Sequence, residues 1–182
     1  SITGKPDSVP GGGPLRVGVA LTDLFTGCYA TSAILAALEV RNRTGAGQHI
    51  DMALLDVGMA ILANQAAGFL NTGKVPQRQG NSHPSLFPYE PLPCSDGDLI
   101  ITAGNNGQFR RLVEVLGVPE LADDPRFRGN EDRTAHRHEL RPLLVERLAT
   151  RSTMEWFEII TAAGVPCGPI NSIQEGVELA GR

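Results

Sequence analysis

The chain has 182 residues, 41% of them hydrophobic and 20% charged, and a formal net charge of −4. That balance excludes a disordered chain and fits one ample core or two small ones. The mild acidity excludes nucleic acid as a main partner, because phosphate binding concentrates basic residues on one face.

The three cysteines, Cys28, Cys94 and Cys167, are far apart and form no Cys-x-x-Cys pair. Neither a disulfide framework nor a metal site is expected, and a cytoplasmic setting follows. No signal peptide and no long uninterrupted apolar run is read, so no membrane is expected either. The chain opens at Ser1 without a methionine and stops just after a helical segment, and so reads as a fragment.

In chain order, "SITGKPDSVPGGGPL" is a Gly- and Pro-rich loop. Leu24 to Arg41 reads as a helix, apolar or small on several sides, with Gly45 as its C-cap. "QHIDMALL" alternates Ile50, Met52 and Leu54 as a strand would, and a second apolar helix is expected from Asp56 to Leu70. This α-β-α order belongs to an α/β layer. A domain boundary is placed near Lys74–Gln79, where the sequence turns to a Pro-rich loop with one short extended piece. "DGDLIITAG" reads as a hairpin turn into a strand at Leu99–Ala103, followed by helices from about Gly107 to Leu116, Glu131 to Ala149 and Thr153 to Ala163. Pro142 is expected to kink the second of these. "NEDRTAHRHELRPLLVER" reads as a solvated amphipathic helix, "GVPCGPINS" as a last strand and "IQEGVELA" as a last helix.

Three places carry candidate chemistry. Asp23 is the sole carboxylate between Gly18 and Leu38 and opens the first helix. It reads either as an N-cap or as a reactive group, since a helix N-terminus favours the anion that a carboxylate nucleophile needs. The two readings are compatible. In "RQGNSHPSLFPYE", Gly80 frees the backbone, Asn81, Ser82 and His83 are short polar groups, and Pro84 stiffens the loop. The segment is either an inter-domain linker or a loop that closes over a reactive site. "AGNNGQF" lies between a strand and a helix, as a turn with Asn caps or as a weak anion site.

"VGVALTDLFTGCYATSAILAALEVRNRTGAGQHIDMALLD", then "RQGNSHPSLFPYEPLPCSDGDLIITAGNNGQF" and "AAGVPCGPI", together resemble the class III coenzyme A transferase (CaiB/BaiF) family. The resemblance implies an α/β fold. Residues 1–74 would form part of a Rossmann-like large domain that carries the catalytic aspartate. Residues 75–182 would form a smaller α+β domain bearing the loop that covers the active site. It further implies that Asp23 attacks an acyl-CoA thioester to give a mixed anhydride. CoA thiolate then converts this to an aspartyl-CoA thioester, from which an acceptor acid collects CoA. Gly80, Asn81, Ser82, His83 and Pro84 match the covering loop, in a version poorer in glycine than those of oxalate- or formate-type members. Coenzyme A enters as a substrate, with no permanently bound cofactor and no metal. Most CoA contacts are expected in an N-terminal half outside this chain, and the assembly in an interlocked homodimer.

Two other readings stay open. An α-methylacyl-CoA racemase of the same superfamily pairs an aspartate with an upstream histidine, but its aspartate sits in a "GDFGGG"-like context unlike "TDLFTG". A non-catalytic α/β binding module is the alternative from a different class.

Overall fold

The apolar, small-residue run after Val19 forms helix α1, Leu21–Thr44, in the computed structural model, which describes residues 2–181. The hydroxyls of Thr26, Thr31, Ser32 and Thr44 each donate to the carbonyl four residues back, at 2.7, 2.9, 3.2 and 2.8 Å. These four hydroxyls are therefore satisfied within the helix. Gly45 ends it in the left-handed conformation, φ 76°, its N–H donating to the Arg41 carbonyl. Contrary to the sequence-based expectation, α1 is long and apolar enough to cross a membrane by length and composition alone, with a mean hydropathy of 1.3. A helix packed inside a soluble protein meets the same two criteria.

The expected strand through Ile50, Met52 and Leu54 does not form. Residues 46–53 run without regular structure into α2, Leu54–Ala60, and no strand lies beside them among the described residues of 1–80. Alternation makes a strand only where a neighbour completes the ladder. The single helix expected from Asp56 to Leu70 is two, α2 and α3 (Asn64–Thr72), broken at Ala63 with φ 45°. That conformation is costly for a residue with a Cβ.

Residues divide into two compact units, 1–80 and 81–182. In the first, Val57 is the one buried residue among those described. Its last turn is tied to its opening loop: Arg78 pairs with Asp7 and donates to the Lys5 carbonyl, and the Gly80 N–H donates to the Gly4 carbonyl at 3.0 Å.

The second unit holds the core. Strands β1 (Tyr89–Pro93) and β2 (Asp98–Thr102) form an antiparallel hairpin, and β3 (Cys167–Pro169) adds to β2. Around this sheet stand α4 (Asn106–Val115), a 3-10 turn at Pro119–Ala122, α5 (Asn130–Ala135), α6 (Arg137–Leu148), α7 (Thr153–Ala162) and α8 (Ile173–Ala180). Leu92, Leu99, Ile101, Leu112, Leu144 and Ile160 are wholly inaccessible at the centre. Trp156 joins them, its indole N–H donating to the Leu148 carbonyl at 2.8 Å. Ser152 and Ser172 open α7 and α8 with capping boxes closed by Glu155 and Glu175.

Two expectations for this unit are corrected. The segment read as one helix breaks at His136, while α6 runs on through Pro142. The same segment is not solvated throughout, because Arg133 is fully buried.

Candidate functional site

Asp23 is not an N-cap. Helix α1 starts at Leu21 with Ala20 in the cap position, so Asp23 is its third residue, exposed in the first turn. Leu21 and Thr22 continue the helix backwards past the carboxylate, a shift of the size helix ends commonly show. No side chain caps this end. The Leu21 N–H donates to the Val19 carbonyl at 3.0 Å, which leaves the N–H groups of Thr22 and Asp23 for a ligand, and the carboxylate sits where the helix dipole interacts favourably with negative charge.

Gly80 takes φ 66°, a conformation that favours glycine. Beyond it, within the second unit, the loop is held at several points. The Ser82 hydroxyl donates to Oε2 of Glu90 on β1. The His83 N–H donates to the Tyr89 carbonyl at 3.1 Å, and the two rings stack with centroids 4.9 Å apart. Arg137 of α6 donates to the His83 carbonyl at 3.2 Å, and Asn130 of α5 donates to the Ser85 carbonyl at 2.8 Å. Asn81 and Pro84 remain exposed.

The His83 imidazole accepts the Ser85 N–H at Nδ1, 3.1 Å away, which places its proton on Nε2. Partial burial, then the neighbouring Arg137 charge, lower its pKa below the usual histidine value of 6.5. The loop thus presents a neutral imidazole at pH 7.

Sequence reasoning missed Glu90, Tyr89, Arg137 and Arg141. Glu90 occupies a core-facing position on β1, with the same orientation as Leu92, and only 7% of its side chain is exposed. Its Oε1 accepts from Nε of Arg141 on α6 at 2.8 Å. One signal was available in "YEPLP": the alternation that buries Leu92 also buries a carboxylate two residues earlier.

The "AGNNGQF" turn is a structural one. Asn105 caps α4 by accepting the Gln108 N–H at 2.9 Å, and the Gly104 N–H donates to Gln108 Oε1 at 2.9 Å. The N–H groups of Gly104 and Gln108, two of the donors that an anion would use, are already engaged.

Residues 1–180 match CoA-transferase family III. The chain is 49% identical over 180 residues to the succinate–glutarate CoA-transferase of Agrobacterium fabrum, covering 96% of this chain and 43% of that protein. It is 43% identical over 174 residues to the succinyl-CoA:glutarate CoA-transferase of Mus musculus, covering 96% of this chain and 39% of that protein. Among solved structures it is similar to a CaiB/BaiF family protein from Brucella suis, at 47% identity and a TM-score of 0.73, over 95% of this chain and 45% of that one. The chain spans less than half the length of these relatives.

Proposed function

Because the chain belongs to CoA-transferase family III, we propose that the protein moves coenzyme A from an acyl-CoA to a carboxylic acid, with Asp23 as the nucleophile. The observation that carries this reading is the placement of Asp23, an exposed carboxylate in the first turn of a helix whose N-terminus no side chain caps. A carboxylate oxygen there attacks the thioester carbonyl and expels CoA thiolate, leaving a mixed anhydride. The thiolate then attacks the aspartyl carbonyl and releases the donor's carboxylate. The acceptor carboxylate attacks the resulting aspartyl-CoA thioester, and the thiolate returns to the acceptor's carbonyl in the second anhydride. Uncapped helix N–H groups are suited to the negative charge that each tetrahedral step develops.

The relatives named for succinate and glutarate support a dicarboxylic acceptor of four or five carbons with succinyl-CoA as donor. Residues 80–84 cover the intermediates in this reading, and the intact protein assembles as a homodimer.

The test is to incubate the intact protein with succinyl-CoA and glutarate and follow glutaryl-CoA. Asp23→Asn should abolish transfer while the protein stays folded, and hydroxylamine should trap an acyl modification at Asp23 in the wild type alone. Substantial transfer by the variant rejects the nucleophile. Exchange of an α-proton in deuterated water without CoA transfer would favour the racemase reading instead.

A further inference from the structure

Glu90 is an unusual residue for its place. It occupies a core-facing position on β1 beside Leu92, where an apolar side chain would avoid the cost of burying charge. Its two oxygens serve different elements: Oε2 accepts from Ser82 in the loop and Oε1 from Arg141 on α6. The carboxylate is thus a bridge between the loop and a helix of the core. The other ties from the loop to the rest of the unit run through its backbone or through ring stacking, and Ser82 is where a loop side chain hydrogen-bonds a charged group.

We propose that Glu90 is a positioning residue, braced by Arg141, which fixes the conformation of the 81–85 loop through the Ser82 hydroxyl. A hydrogen bond to a charged, buried acceptor is among the stronger single ties a short loop can have. In the transferase reading, on which this role in turnover rests, a loop already held in one conformation has less freedom to lose when an intermediate forms. A loosened loop loses transition-state stabilisation rather than substrate binding.

The experiment compares Ser82→Ala, Ser82→Thr, Glu90→Leu and the Ser82→Ala/Glu90→Leu double variant of the intact protein. Amide hydrogen exchange over residues 81–85 should speed up about tenfold or more in Ser82→Ala and Glu90→Leu. Ser82→Thr keeps the hydroxyl and should restore exchange over residues 81–85 to the wild-type rate. Glu90→Leu should melt close to wild type, because an apolar residue suits a core-facing strand position and Arg141, nearly half exposed, turns to water when its partner is lost. It should still lose about tenfold or more in kcat, with KM for succinyl-CoA within about twofold. The double variant should be no worse than either single change. Unchanged loop exchange, additive losses, or losses that track melting temperature would overturn the proposal. A wild type that transfers no CoA would count against the transferase reading alone, because the exchange measurement decides the positioning role without it.

Discussion

The guanidinium carbon of Arg133 stands 4.5 Å from the centre of the Phe109 ring, and no part of the arginine is exposed. Its Nε donates to the Phe87 carbonyl at 3.0 Å, Nη1 to those of Phe127 and Arg128 at 3.0 and 3.3 Å, and Nη2 to Asn106 Oδ1 at 3.0 Å. One side chain thereby joins α5 to the start of α4 and to the segment leading into β1. Arg133→Met should cost about 3 kcal/mol or more, because it strands several buried acceptors at once. Arg133→Lys should cost nearly as much, since an ammonium cannot reproduce the planar fork. Urea denaturation checks both, and a loss below about 1 kcal/mol would mean that those acceptors find other donors.

His83 should titrate below 6.5, because burial and the Arg137 charge both disfavour the imidazolium. The folded-state value lies below the unfolded one, so the unfolded chain binds the proton first as pH falls. The stability linked to this group is therefore fully present above about 6.5 and is lost as pH drops through the folded-state value. A pH titration of the ring by NMR should give a midpoint below 6.5, and Arg137→Gln should move it upward. A wild-type midpoint at or above 6.5 would contradict this account.

Asp23 and Ser152 should respond differently to substitution. Asp23 makes no capping hydrogen bond, so Asp23→Asn removes a dipole interaction worth less than about 1 kcal/mol. Ser152 accepts the Glu155 N–H and is itself paired with the Glu155 carboxylate, so Ser152→Ala should cost about 1 kcal/mol or slightly more. Thermal melting separates the two. A large drop for Asp23→Asn would show that the carboxylate holds the fold together and would weaken its use as a chemical group.

The intact protein should sediment as a dimer. No residue of α1 is buried, and Leu24, Phe25, Tyr29, Ile34 and Leu35 are among the large apolar side chains left exposed along it. So much apolar surface asks for a cover. A stable monomer at micromolar concentration in analytical ultracentrifugation would reject this expectation.

Much of the second unit was legible because its signals are local. Ser152 with Glu155, Ser172 with Glu175, and Asn105 before an apolar stripe each announce a helix within four residues. The strand expected at Leu99–Ala103 forms one residue earlier, at Asp98–Thr102, where β1 and β3 flank it. The alternation through Ile50, Met52 and Leu54 makes no strand, because no neighbouring strand exists there among the described residues. Asp23 itself was easy to find, whereas its exact place in the first turn depends on two preceding residues that could be helix or loop. Glu90 was hidden for a different reason. Its partners lie 8 and 51 residues away in sequence, and no local pattern records a carboxylate shared by a loop and a distant helix.

The outer edge of the sheet has a further consequence. Cys94 donates to Gly97 and Ala103 to Pro88, which fixes the pairing so that Leu92 and Glu90 face β2 through their backbones. The backbones of Pro91 and Pro93 therefore point away from the sheet, and neither has an N–H. The outward carbonyl of Tyr89 is already taken by His83. Along this rim a foreign strand would find almost nothing to zip onto. Crowding of partly folded chains should therefore not seed ribbons across β1.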